Sequence, residues 1–309
     1  MSFPLVSILV RSSDRATLTS TLESIRRQDY PAIEVWVVAA VAGHSPIESD
    51  IAPFRVVLVT TEAPLHRSVA ANKALDLARG EYALFLDDDD WIAPSHISSL
   101  VKALQETPEH LVAYTRTQTV NSEGQAQDMP VLGLPFDGLR LLCANWIAIN
   151  SALFSMRLKS LGCRFDEQFD LYEDWDFWLQ AMQHSQDFLF VDQVTAFYRI
   201  QNSSGVHAQA SFHGAAYKLV YKKWRPQWSS DQISALLERS WLQQEQLKEI
   251  HSGETKLRDV RAELENLRQV FARKELAYQE EYNRILASRS WRLTAPLRAA
   301  GQALRRCRT

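Results

Sequence analysis

Short, unbroken apolar runs rich in β-branched residues recur through the first third of the chain, at 5–10, 33–38, 55–60 and 82–86. Continuous rather than alternating apolarity predicts strands buried on both faces. Between them the apolar spacing becomes helical: at 16–28 after Asp14, at 67–79 before Gly80, and at 95–106 between Pro94 and Pro108. Strand–helix alternation predicts βαβ units, hence an α/β fold with a mostly parallel sheet flanked by helices. Ligands bind such sheets beyond the C-terminal ends of the strands. From about 110 to 225 the pattern is mixed, with strands expected at 188–191 and 194–199 and helices at 174–185 and 208–223.

After Pro226 the character changes. Residues 230–286 lack proline, and Ile250, Leu257, Leu264, Phe271, Tyr278 and Ile285 recur every seven residues, with Val260 and Leu267 at the companion spacing. This is a coiled-coil seam and predicts a C-terminal α-helical extension. Lys274 and Glu281 interrupt the companion positions and Gly253 weakens an early turn. Two readings stay open: self-association through 247–286, or one amphipathic helix packed on its own domain.

Charge adds a division that hydropathy does not show. Of 34 basic and 37 acidic residues, seven arginines follow Glu281 with no acidic residue among them, so the rest of the chain carries a net charge of −10. So acidic a body argues against nucleic acid as a partner. The tail, 287–309, carries Trp291 with Leu293, Leu297 and Leu304 among its arginines. That combination suits an anionic lipid surface or, alternatively, the acidic body itself. From Met1 the chain enters Pro4-Leu5-Val6 without a basic region or a small-residue cleavage site, and no apolar run reaches the length of a membrane span. Cys143, Cys163 and Cys307 are too dispersed for a disulfide framework. The expected location is cytoplasmic, with the tail as a candidate peripheral anchor on the inner membrane.

The clearest chemistry is Phe85-Leu86-Asp87-Asp88-Asp89-Asp90-Trp91, a buried strand ending in four carboxylates. Their mutual repulsion calls for a cation, and hard oxygen donors suit Mg²⁺ or Mn²⁺ shared with a substrate diphosphate. A solvated loop or a helix cap is the plainer reading, but four consecutive carboxylates exceed what a cap requires. A second acidic cluster, Leu171-Tyr172-Glu173-Asp174-Trp175-Asp176, opens a helix, where carboxylates are stabilised and neighbouring tryptophans such as Trp175 can form a sugar-binding wall. By itself it reads as a capping cluster.

Taken together, these segments resemble the family-2 glycosyltransferases, whose fold is the Rossmann-like GT-A fold. The resemblance runs from Pro4 to Ser204. It rests on Pro4-Leu5-Val6-Ser7-Ile8-Leu9-Val10, on Arg67-Ser68-Val69-Ala70-Ala71-Asn72-Lys73-Ala74-Leu75 with Ala78-Arg79-Gly80-Glu81-Tyr82, and on Leu86-Asp87-Asp88-Asp89-Asp90, similar to the family's Leu-Asp-x-Asp-Asp. It implies a GT-A domain over 1–225, with a nucleotide-binding half at 1–110 and an acceptor half at 111–225. Asp87, Asp88, Asn72 and Arg67 would then face a nucleotide sugar, with Asp87 toward the ribose, and Asp89 with Asp87 would hold the metal. Asp174 would be the general base supported by Glu173, and Asn145 and Trp146 would lie with Trp175 on the acceptor side. The implied reaction is single displacement with inversion onto a glycan or lipid-linked acceptor, in surface-polysaccharide synthesis such as O-antigen or capsule.

The chain also departs from the family. Where a base-contacting Asp pair usually follows the second strand, it reads Val37-Val38-Ala39-Ala40, leaving Asp14 or Glu62 to compensate. The first strand runs into Arg11-Ser12-Ser13-Asp14 instead of Pro-Thr-Tyr-Asn, and Gln201 stands where a metal-binding His often follows Tyr198-Arg199, with His207 the nearest substitute. These gaps admit a catalytically silent GT-A-like scaffold acting through its coiled coil, or a metal-dependent hydrolase. A silent scaffold, however, needs no Asp174.

Overall fold

The computed structural model describes residues 3–47, 50–51, 53–127, 131–200 and 210–288. The four apolar runs are strands β1 (Val6–Ser12), β2 (Ile33–Ala39), β4 (Phe54–Val59) and β5 (Tyr82–Asp87), with a short β3 at Asp50–Ile51. They alternate with helices α1 (Leu18–Arg26) and α2 (Arg67–Leu77). Neighbouring pairs β4–β2, β2–β1 and β1–β5 are all parallel, and β1 is buried along its whole length. This half of the sheet is as the apolar runs predict.

The remaining strands are β6 (Trp91–Ile92), β7 (Val112–Val120), β8 (Ala152–Ser155) and β9 (Leu189–Arg199). They extend the sheet to nine strands in the order β3-β4-β2-β1-β5-β8-β7-β9-β6. Here the sheet becomes mixed: β8 runs antiparallel to both β5 and β7, and β6 antiparallel to β9. The segments 188–191 and 194–199 are one strand, paired parallel to β7 across register shifts on either side of Arg116. Such a bulge leaves extra residues unpaired, and Asp192 and Gln193 lie exposed at the break.

Helices α3 (His96–Glu106), α4 (Gly138–Cys143), α5 (Arg157–Ser160), α6 (Glu173–Met182) and α7 (Ala210–Trp224) complete this first unit, which ends at Gln232. Gly80 turns the chain from α2 into β5 so close to β1 that a Cβ would lie 2.7 Å from both Leu5 O and Ser7 N. No other residue fits there, and the tight turn sets β5 alongside β1 in register.

A second unit begins at Ile233. One continuous helix, α8 (Ser230–Ala287), carries the seven-residue repeat, and Ile250, Leu257, Leu264, Phe271 and Tyr278 are exposed along it. The side chain of Ile285, the tail from 289 to 309, Gln201 and His207 lie outside the described residues. Among the described residues no helix is long and apolar enough to cross a membrane.

Candidate active site

The pairing of β1 with β5 sets Arg11 opposite Asp87 at the C-terminal ends of both strands. Arg11 Nε lies 2.7 Å from Asp87 Oδ1 and Nη2 3.0 Å from Oδ2, while Nη1 lies 2.8 Å from Glu173 Oε1. From the start of α2, Arg67 closes the ring: Nη2 is 2.9 Å from Asp87 Oδ2 and Nε 2.9 Å from Glu173 Oε1. Burial works to raise the Asp87 pKa, but the two guanidiniums outweigh it and hold the carboxyl well below the usual range. Two cations and two anions thus join β1, α2, β5 and α6.

The four aspartates of the acidic run separate into different tasks. Asp88 is fully buried; its Oδ2 accepts from Ser12 Oγ at 2.9 Å and Ser13 N at 2.6 Å, and its Oδ1 from Arg15 Nη1 at 2.6 Å. It fixes the loop after β1 through these three contacts. Asp89 and Asp90 are both pushed up, chiefly by burial and then by neighbouring carboxylates. Asp90 accepts from Asn150 Nδ2 and from Arg199 N, each at 3.0 Å. Asp87, Asp89 and Asp90 each offer an oxygen within 4.8 Å of one another. An all-carboxylate set in which Asp89 and Asp90 resist ionisation beside the ionised Asp87 is suited to a hard divalent cation.

Helix α6 starts with an unusual backbone. Tyr172, just before it, has φ 62, a left-handed conformation that ordinarily disfavours a bulky side chain. The next two residues are the ion-paired Glu173 and Asp174. Asp174 Oδ2 accepts from Asn145 Nδ2 at 3.0 Å and Oδ1 from Trp175 N at 2.8 Å. Burial, then the neighbouring Glu173 charge, push its pKa up to about 6 against the pull of Arg67 and Arg11.

A pocket of about 630 Å³ opens over this arrangement, lined by Arg11, Arg67, Asp87, Asn145, Trp146, Asn150, Tyr172, Glu173, Asp174 and Tyr198, with Leu132, Leu171 and Ile147 to Ile149 as apolar wall. It brings together Asp87, Arg67, Glu173, Asp174, Asn145 and Trp146. Four expected site residues, Asp88, Asp89, Asn72 and Trp175, are absent from its lining. Asn72 bridges to Phe165, donating to its carbonyl at 2.9 Å and accepting from its amide at 3.0 Å, so it ties α2 to the segment before α6. Trp175 is 1% exposed, donates Nε1–H to Leu141 O at 2.7 Å and packs between Tyr172 and Tyr217, a core role that leaves no ring face for a sugar.

Sequence reasoning missed four members of the site. Asp90 belongs to the recognised motif but received no role. Arg11 was visible as a charge ending an apolar strand. Tyr198 lines the pocket, and its phenol is pushed up by burial and then by Asp90 and Asp87. Asn150 had no local signal. On the side of the missing base-contacting pair, Ala40 N donates to Ser12 O at 2.7 Å and His44 Nε2 lies 2.8 Å from Ser12 Oγ. Asp14 does not cap α1; its Oδ2 accepts from Ser45 N at 3.1 Å and Oγ at 2.8 Å, with φ 62.

Residues 7–163, which hold β1 from its second residue, both arginines of the ring and the whole acidic run, match the model of a known family described as "Glycosyl transferase family 2". The chain belongs to glycosyl transferase family 2. It is 26% identical over 191 residues to the uncharacterized protein y4gI of Sinorhizobium fredii, a match covering 60% of this chain and 21% of that one. It therefore spans about a fifth of that relative's length. It is 23% identical over 219 residues to the amylovoran biosynthesis glycosyltransferase AmsB of Erwinia amylovora, covering 66% of this chain and 72% of the relative. Among solved structures, S. aureus TarS 1-349 in complex with UDP-GlcNAc superposes with TM-score 0.54 at 19% identity, covering 70% of this chain and 65% of that one. The architecture is the GT-A type expected for family 2.

Proposed function

We propose that this family-2 chain transfers a glycosyl group from a nucleoside-diphosphate sugar to a hydroxyl of a glycan or lipid-linked acceptor, with inversion, in surface-polysaccharide synthesis. The observation that carries this reading is one pocket lined both by Asp87 of the acidic run and by Asp174 at the start of α6. Asp174 takes the proton of the acceptor hydroxyl as its oxygen bonds to the anomeric carbon and the bond to the diphosphate breaks. A carboxylate with pKa about 6 is a stronger base than an ordinary one and still ionised at neutral pH. Asn145 orients it, and Glu173 keeps its neighbours Arg11 and Arg67 engaged. Asp89 and Asp90, with Asp87 beside them, would hold Mg²⁺ or Mn²⁺, which when bound neutralises charge on the departing diphosphate. The likeness to AmsB supports a polysaccharide product, and the UDP-GlcNAc carried by TarS supports a nucleotide sugar as donor.

The same proposal includes self-association through 247–286 and a cytoplasmic, inner-membrane position held by 287–309. Fractionating cells that express the chain with and without 287–309 tests the last point, and equal membrane association would end it. The activity itself is tested by thermal shift with UDP-, GDP- and dTDP-sugars in Mn²⁺. At least one donor should raise the melting temperature, and chelator should remove the effect. No response to any donor would favour the silent-scaffold reading.

A further inference from the structure

Arg15, on the loop after β1, brings its guanidinium to two aspartates of the acidic run that Arg11 does not contact. Its Nη1 lies 2.6 Å from Asp88 Oδ1 and 3.2 Å from Asp89 Oδ2. The two contacts are unlike each other. Asp88 is fully buried and held by the loop's own Ser12 hydroxyl and Ser13 amide, so it is a fixed mount. Asp89 is 18% exposed, Arg15 is 41% exposed, and Asp89 is one of the three carboxylates that converge as a cation site. Arg11 and Arg67, by contrast, are both ion-paired with Asp87 and Glu173 in the ring.

We infer that Arg15 is a second cation for the donor diphosphate, ion-paired with Asp89 and transferred to the phosphate oxygens when metal and nucleotide bind. The inference rests on the glycosyltransferase reading above. A divalent ion and a guanidinium cannot share one Asp89 oxygen without repelling each other, so the ion-paired arginine weakens binding of the metal alone. A diphosphate drawn to that metal brings its oxygens within one side-chain swing of Nη1. The planar guanidinium fork matches phosphate oxygens in pairs, which an ammonium does not. Pivoting on buried Asp88, the arginine exchanges Asp89 for phosphate. Metal then binds weakly alone, and metal and nucleotide strengthen each other.

The test is calorimetric titration of the full chain and its Arg15→Gln variant with Mn²⁺ alone, then with UDP and with GDP at saturating Mn²⁺. The variant should bind Mn²⁺ alone about two- to fivefold more tightly, the range set by a half-exposed ion pair. It should bind the nucleoside diphosphate about tenfold more weakly, as expected for a lost charge-assisted contact. Arg15→Lys should keep the weak metal-alone affinity but not the tight nucleotide binding. Opposite shifts in the two titrations are the signature; any result without them overturns the assignment. A wild-type chain that binds neither Mn²⁺ nor nucleotide would overturn the proposed function along with it, whereas normal wild-type binding with an unchanged variant would overturn Arg15 alone.

Discussion

Arg11 on β1 donates to Glu173 at the start of α6 over 2.8 Å, across a sequence separation of 162 residues. Through its other nitrogens the same guanidinium grips Asp87, so the acidic run and the helix bearing Asp174 are tied by one buried side chain. Arg11→Met should therefore destabilise the chain by about 3 kcal/mol or more, because two buried carboxylates would be left with a single cation. Urea unfolding at pH 7 measures this; Arg11→Lys should recover only part of the loss, since it cannot reach both carboxylates as a fork does. A loss below about 1 kcal/mol would mean the ring carries little of the fold.

Asp174→Asn should lower turnover by about 10²- to 10⁴-fold while donor affinity stays within about twofold, because a general base acts in the chemical step. Steady-state kinetics beside direct donor titration separate the two quantities. Retained turnover with weakened donor binding would place the base elsewhere.

The environment of Asp174 also sets a pH dependence. Its raised pKa means the carboxyl is protonated, and useless as a base, below about 6. The turnover number should fall about tenfold per pH unit below that point and level off above it. A limb near pH 4, where an unperturbed carboxylate titrates, would show that burial and Glu173 do not act on the catalytic group.

Neighbouring aspartates should behave differently under the same substitution. Asp89→Asn should leave the melting temperature nearly unchanged and remove divalent-metal dependence, since Asp89 makes few protein contacts besides Arg15. Asp88→Asn should instead weaken the fold by about 2 kcal/mol, through loss of a charged acceptor shared by Ser12, Ser13 and Arg15. Thermal melts of the two variants, with Mn²⁺ titrations alongside, distinguish them; matching profiles would contradict the division.

The exposed seam of α8 predicts self-association. Sedimentation of the full chain should show a dimer or larger species at micromolar concentration, and Leu257→Asp with Leu264→Asp should return it to monomer. A wild-type chain that is monomeric throughout would instead support packing of the helix on its own domain.

The parallel strands β1, β2, β4 and β5, the helices between them and the long C-terminal helix were all legible in the sequence, because each follows from the spacing of its own apolar residues. So was the acidic run, since four adjacent carboxylates after a buried strand need no partner to be noticed. The antiparallel half was not, because β8 is only four residues long and its direction depends on β5 and β7, far away along the chain. Nor could local pattern divide the run's tasks: Asp88 turns inward because Ser12, Ser13 and Arg15 of β1 and its loop wait for it, and Asp89 and Asp90 remain for a cation. Residue type and periodicity are local and were determined by the sequence. Which charge meets which, and therefore which carboxylate is structural, which is held by Arg11 and Arg67, and which is a base with a raised pKa, was decided only when the tertiary structure brought those distant residues within hydrogen-bonding distance and removed water from between them.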